Sequence, residues 1–285
     1  MTSAFHRLIT TNKPTKVQEL SAGKSGALLA TYRGGIKAVL KLAKKSMPSG
    51  KKTQRGLLVR SQPNREVAFY RLAVLLGYDH LVPETVLTIY KGHEASAQLY
   101  VPAAPLAALE PQLKKSVGGQ SWRNLVVKTC SLVPKYFWKQ LLALDIVGGA
   151  RDRHANNIGI KLLIKNDRPV YRLVAWDNAT TFGVTFEKYH NVFHKLLFRK
   201  SVLDFDAEWF KLQSISRSDM FTALASFLAP EEIEHAYLRK QFFLDYPYRL
   251  PWKVCSQGND DSNAFPAYTD YFVGADDNAP LEHAA

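Results

Sequence analysis

The chain has 285 residues, 46% of them hydrophobic and 12% aromatic, enough for one large core or two modest lobes. No apolar run approaches the roughly 18–20 residues of a membrane span, residues 1–12 lack the apolar stretch of a secretory leader, and two cysteines, Cys130 and Cys255, cannot build a disulfide framework. A soluble cytoplasmic protein, of its own cell or of a host cell, is therefore expected, and its net charge of +13 suits either a polyanionic ligand or a solvated basic surface.

Short strands are predicted over 16–20, 27–32 and 36–42, segments separated by Gly23, Gly26 and the Gly34-Gly35 pair. The stretch 44–53, rich in lysine, serine and glycine, shows no periodicity and reads as an exposed loop. A helix is expected from Asn64 as N-cap, with Val67, Tyr70, Arg71, Val74 and Leu75 at helical spacing and Gly77 as its stop. Residues 82–90 and 97–101 read as two further strands about the Gly92 turn, and Pro102 and Pro105 end that sheet at a boundary between lobes. Beyond it, 134–147 carries Phe137, Leu141 and Leu144 on one helical face and ends at Gly148-Gly149. Strands over 157–164 and 170–176 flank an Asn166-Asp167-Arg168-Pro169 turn and make a hairpin, and helices follow at 206–227 and 230–244. There are no internal repeats.

Charge is unevenly spread. Between Ile36 and Arg60 there are eight basic residues and no acid, a second cluster runs from Lys188 to Lys200, and the chain beyond Lys253 has acids but no lysine or arginine.

The residues with chemical potential gather about the hairpin. Asp152, His154 and Asn157 lie on the loop that enters it, and Asp177 lies at its far end in Trp176-Asp177-Asn178-Ala179. A hairpin returns the chain to its start, so Asn157 and Asp177 converge; a carboxylate and an amide oxygen together suit Mg2+, a hard cation that takes oxygen ligands and shares them with phosphates. One Asp/Asn-rich turn is ordinarily a backbone cap; two at the ends of one hairpin favour the metal. His154 also reads as a simple loop cap. Asp145 reads either as a carboxylate holding the loop or as a core-helix residue with a backbone partner.

The string Asp152-Arg153-His154-x-x-Asn157, followed by a hairpin and Asp177, resembles the catalytic and metal-binding loops of phosphatidylinositol 3-/4-kinase-like enzymes, within the wider superfamily of protein-kinase-like folds. Asp177-Asn178-Ala179 stands where ordinary protein kinases carry Asp-Phe-Gly. The resemblance implies an α+β, two-lobed fold: a small β-rich N-lobe over 1–102, a larger helical C-lobe over 103–255 with a central catalytic hairpin, and an acidic tail over 256–285 whose last six residues resemble a vector-derived extension. It implies a phosphotransferase that uses ATP and Mg2+, with Mn2+ as the alternative metal. Asp152 becomes the base for the acceptor with His154 assisting, and Asn157 and Asp177 become the metal ligands. Lys41, in Ala38-Val39-Leu40-Lys41, becomes the lysine for the α- and β-phosphates, held by Glu66 of the following helix. Ser21, Gly23, Lys24, Ser25 and Gly26 become the phosphate-covering loop, and Gln98, Tyr100 and Val101 the adenine-binding hinge. Gly23-Lys24-Ser25 imitates the end of a Walker A motif, but Gln18 stands where its first glycine belongs, which argues against a P-loop NTPase.

Lys188, Lys195, Arg199 and Lys200 fall where such a fold binds its acceptor, and they suit an acidic protein face or an anionic lipid headgroup. An atypical protein Ser/Thr kinase is the leading expectation. A phosphoinositide kinase with peripheral membrane contact is second. A nucleotide-binding pseudokinase is disfavoured by the complete residue set. A basic nucleic-acid module is disfavoured because the lysines are not interleaved with aromatics on one helix, so no stable nucleic-acid partner is expected.

Overall fold

Helix α1 (Ala4–Thr11) opens the molecule, an element absent from the sequence expectations. Ser3 caps it by accepting from the His6 N–H, and Phe5 and Ile9, one turn apart, bury the same face. The computed structural model describes residues 3–20, 26–43, 62–108, 133–150, 152–165, 168–183 and 206–245. The expected loop 44–53, the Asn166-Asp167 turn centre and the acidic tail lie outside the described residues.

Five strands form one antiparallel sheet: β1 (Lys16–Glu19), β2 (Leu28–Thr31), β3 (Lys37–Leu42), β4 (Thr85–Tyr90) and β5 (His93–Leu99), in the order β1-β2-β3-β5-β4. Alternation gives the sheet two faces. Ala38, Leu40, Val86 and Ala97 turn outward and pack with Phe5 and Ile9 of α1 in a small core. Lys41, opposite Ser96, and Val39, opposite Gln98, take the inner face. Strand β5 begins at His93, four residues before the expected start. The reason is a two-residue turn with φ of 49° at Lys91 and 77° at Gly92, which lets Tyr90 and His93 pair at once.

Helix α2 (Gln62–Leu75) lies under the inner face and also begins earlier than expected. Pro63 fits the first turn, where its missing N–H is no loss, and Asn64 donates to Glu94 Oε1 at 3.1 Å. Gly77 ends the helix at φ 70°, where Tyr78 N–H reaches back to the Ala73 carbonyl.

The second half holds β6 (Ala104–Pro105), α3 (Lys135–Gly148), β7 (Ile158–Lys165), β8 (Arg168–Ala175), α4 (Asp206–Gln213), α5 (Arg217–Leu224) and α6 (Pro230–Asp245). Rather than only ending the first sheet, the proline-flanked segment starts a second one: Ala104 and Pro105 pair with Ile160 and Gly159 in the sheet β6-β7-β8. The single helix expected over 206–227 is two. Ser216 and Asp219 form a reciprocal capping box that starts a new helix and breaks the old one.

Helix α3 is buried from Leu141 to Gly148 and forms the axis of the main core. Phe69 and Leu72 of α2, Ile158 and Leu173 of the hairpin, and Leu212, Met220, Ile233 and Phe243 of the last three helices surround it. Two polar clasps tie α6 into this core. Arg65 of α2 meets Glu232 at 2.6 Å with both side chains buried, and Arg239 donates to the carbonyls of Val147 at 2.9 Å and Gly183 at 2.8 Å. Among the described residues, no helix is long and apolar enough to cross a membrane.

Candidate active site

Three elements far apart in sequence meet at Lys41. Its Nζ lies 2.5 Å from Glu66 Oε1 and 2.8 Å from Asp177 Oδ1. The second oxygen of Glu66 accepts from the backbone N–H of Asn178 at 3.0 Å. One glutamate thus fixes both the β3 lysine and the segment after β8. Burial on its own pulls the Lys41 ammonium down, but Glu66 and then Asp177 outweigh it and hold the pKa above the ordinary lysine value. Burial likewise pushes Asp177 up, and Lys41, with Arg153 and His154 beyond it, brings its carboxyl below the usual range. Both groups are charged at neutral pH.

A second network lies beneath. Arg153 is buried, as is Asp145 on α3, and their side chains form a forked pair with contacts of 2.9–3.2 Å. The remaining donors of Arg153 go to the carbonyls of Asn157 at 3.2 Å and Trp176 at 2.9 Å, and to Asn178 Oδ1 at 2.7 Å. One guanidinium therefore binds the loop entering the hairpin to the loop leaving it. Of the two sequence readings of Asp145, the loop-holding one describes the structure. The role of Arg153 was not anticipated, and its only sequence signal is its place inside the Asp152–Asn157 string.

Asp152 and His154 are half-buried beside each other, with His154 Nε2 at 3.8 Å from Asp152 Oδ1. The Nδ1 atom of His154 accepts from the Asn156 N–H at 3.2 Å, so His154 does cap the short turn into β7. That bond leaves Nε2, the nitrogen facing Asp152, as the protonated one in the neutral ring. Asn157 is buried, and its Nδ2 donates to the Asp152 carbonyl at 2.7 Å, which leaves the amide oxygen at the other end of the group.

The segment after β8 carries two left-handed residues, Asp177 at φ 58° and Phe182 at φ 59°. Aspartate tolerates that region; a phenylalanine there needs support from its surroundings. Phe182 has it: the ring is buried edge-on to Phe69 of α2, and its N–H donates to the Gly148 carbonyl at 2.7 Å. Gly148 is needed at that contact, because a Cβ there would come within 2.7 Å of the Phe69 ring.

The remaining expected site residues divide in two. Gln98 is buried on the Lys41 face and donates to Thr85 Oγ1 at 3.0 Å; Tyr100 follows with an exposed side chain and its N–H on the Lys37 carbonyl, then Val101. Gly26 adopts φ 64° just before β2. Ser21, Gly23, Lys24 and Ser25 lie outside the described residues, as do Lys188, Lys195, Arg199 and Lys200.

The donor set fits a hard divalent cation. Asn157 offers an amide oxygen, and Asp177, 42% exposed at its side chain, offers a carboxylate whose Oδ2 is not the atom on Lys41. Among the described residues, no group of three or more His, Cys, Asp or Glu side chains forms a closed cage. A site with few protein ligands is the kind that Mg2+ completes with water and substrate phosphates.

A five-stranded sheet carrying a lysine–glutamate pair, joined to a helical half by that lysine's contact with a carboxylate at the end of a hairpin, is the two-lobed protein-kinase-like fold. Solved structures of atypical kinases share it. A Golgi casein kinase superposes with a TM-score of 0.58 at 14% identity, over 86% of this chain and 75% of that one. The Golgi casein kinase with Mn/ADP bound gives 0.56 at 14% identity, over 90% and 79%. Hydra Fam20 with sugar gives 0.58 at 13% identity, over 90% of each chain. At such identities the likeness is one of fold. No protein-family model and no curated protein sequence matches the chain.

Proposed function

We propose that this protein is an ATP-dependent kinase of the atypical type, using Mg2+ or Mn2+, that transfers the γ-phosphoryl group to a hydroxyl of a protein. The observation that carries the reading is the convergence of Lys41, Glu66 and Asp177 within hydrogen-bonding distance. Glu66 already pairs with Lys41, so the second, partly exposed carboxylate beside it suits a triphosphate, which needs both a fixed cation and a metal ligand. Binding of Mn/ADP by one structural neighbour supports the same use of the cleft here.

In this reading Lys41 neutralises the α- and β-phosphates, and Asn157 and Asp177 hold the metal, which supplies charge neutralisation at the phosphates. Asp152 orients the acceptor hydroxyl. Its oxygen attacks the γ-phosphorus, the bond from that phosphorus to the β,γ-bridging oxygen breaks, ADP leaves, and the hydroxyl proton passes to the Asp152 carboxylate. His154 Nε2–H, facing Asp152, steadies that carboxylate. The N-lobe spans 1–102 and the C-lobe 103–255, with Gln98, Tyr100 and Val101 as the adenine edge, and Ser21, Gly23, Lys24, Ser25 and Gly26 over the phosphates. Lys188, Lys195, Arg199 and Lys200 receive the acceptor.

A neighbour described as a casein kinase supports a protein acceptor over a lipid, while the Asp152–Asn157 string supports the phosphatidylinositol 3-/4-kinase-like branch. Labelled ATP and Mg2+ with an acidic protein such as casein, and separately with phosphoinositide vesicles, distinguish the two. Label on the protein is expected, and label on the lipid alone would replace the acceptor. Asp177→Ala is expected to cost at least about a hundredfold in rate. Turnover near the wild-type value in that variant removes Asp177 from the chemistry.

A further inference from the structure

Alternation along β7 and β8 gives the hairpin two faces. Ile158, Ile160, Leu173 and Ala175 pack into the helical core. Gly159, which pairs with Val174, lies on the other face, together with Trp176, whose N–H bonds the Asn157 carbonyl. The next residue, Asp177, meets Lys41 of the large sheet.

There the Trp176 ring rests against the Gly159 backbone so closely that a Cβ on Gly159 would come within 2.2 Å of Cη2 and 2.3 Å of Cζ3. The same point is 3.1 Å from the Cβ of Ala103, on the chain leaving Tyr100 and Val101. Nε1 donates to the Asn156 carbonyl at 2.7 Å, which fixes the ring's orientation. The indole is half-buried, anchored at Nε1, and packs against Gly159, the residue that also approaches Ala103 two positions after Val101.

The geometry points to Trp176 as the platform on which the purine base of the nucleotide stacks, an inference that rests on the nucleotide reading of the cleft. A nucleoside triphosphate with its phosphates at Lys41 and its base edge at the hinge crosses the surface between them, which is the surface Trp176 and Gly159 share. Glycine at 159 gives the ring its seat; any side chain there would lift it. Stacking on an aromatic face tolerates different bases, so the platform binds adenine and guanine alike and leaves the choice between them to the hinge. It strengthens binding of a nucleotide and does nothing for a bare polyphosphate.

The test is calorimetric titration of the full chain with Mg-ATP and with Mg-tripolyphosphate, in the wild type, Trp176→Ala and Trp176→Phe. Trp176→Ala is expected to weaken Mg-ATP by about tenfold or more and leave Mg-tripolyphosphate unchanged, while Trp176→Phe stays within about threefold of wild type for both. Mg-ATP is also expected to quench tryptophan emission in the wild type and not in Trp176→Phe, a readout that holds even if Trp176→Ala fails to fold. A wild-type chain that binds neither ligand overturns the nucleotide reading itself. Normal Mg-ATP affinity in Trp176→Ala, equal loss of both ligands, or the same quench with and without Trp176 overturns the platform alone.

Discussion

Replacing Arg153 by methionine keeps most of the side-chain volume and removes the charge that binds the two loops of the site. The guanidinium is 2% exposed and Asp145 1%. Breaking a buried pair by removing one partner costs about 3–5 kcal/mol, because the other charge stays buried without it. The carbonyls of Asn157 and Trp176 and the Asn178 side chain each lose a donor as well, on the order of 1 kcal/mol apiece and not additive with the first term. Against a total stability of about 5–15 kcal/mol, Arg153→Met should lower the urea midpoint substantially. The double variant Asp145→Leu/Arg153→Met leaves no lone charge and should recover much of that stability. It does not restore the bonds between loops, so Mg-ATP affinity should stay impaired in both variants. A loss under about 1 kcal/mol in Arg153→Met, or full nucleotide affinity in the stabilised double variant, refutes the idea that this arginine holds the site together.

Gly159→Ala forces the Trp176 ring off its seat, so KM for ATP should rise about tenfold while the unfolding midpoint changes little, measured by steady-state kinetics and urea melts. Gly148→Ala brings a methyl to 2.7 Å from the Phe69 ring and should cost about 1–3 kcal/mol by overpacking, read from the same melts. Asp177 has a folded pKa below its ordinary 3.8, so its contribution to stability is present above about pH 4 and is lost as pH falls through the lowered value. Lys41 has a folded pKa above its ordinary 10.5, so its contribution is present below about pH 10.5 and is lost as pH rises through the raised value. Thermal melts across pH should therefore show Asp177→Asn flattening the acid limb and Lys41→Met the alkaline one.

The parts legible in the sequence were those governed by local rules or by motif order. Alternation and turn glycines marked the first strands, helical spacing marked α2 and α3, and motif order foretold that Lys41 and Glu66 would pair, though not that Asp177 would reach the same lysine. Short-range capping signals mark two further elements: Ser3 ahead of Phe5 and Ile9, and Ser216-x-x-Asp219 in the middle of an apparent long helix. Pairings that depend on tertiary closure were not readable. Nothing local tells Arg65 that Glu232, 167 residues away, will neutralise it, nor tells Arg153 that Asp145 and the carbonyls of Asn157 and Trp176 will enclose it. The Trp176 seat on Gly159 is of the same kind, since it follows from strand register and not from either residue alone.

The most direct measurement is a crystal structure of the chain with Mg2+ and a non-hydrolysable ATP analogue. Lys41 Nζ is expected on the α- and β-phosphates, the metal between the Asn157 amide oxygen and the Asp177 carboxylate, and the Lys41–Glu66 bond retained. A nucleotide bound away from Lys41, or a metal touching neither Asn157 nor Asp177, would contradict the kinase reading.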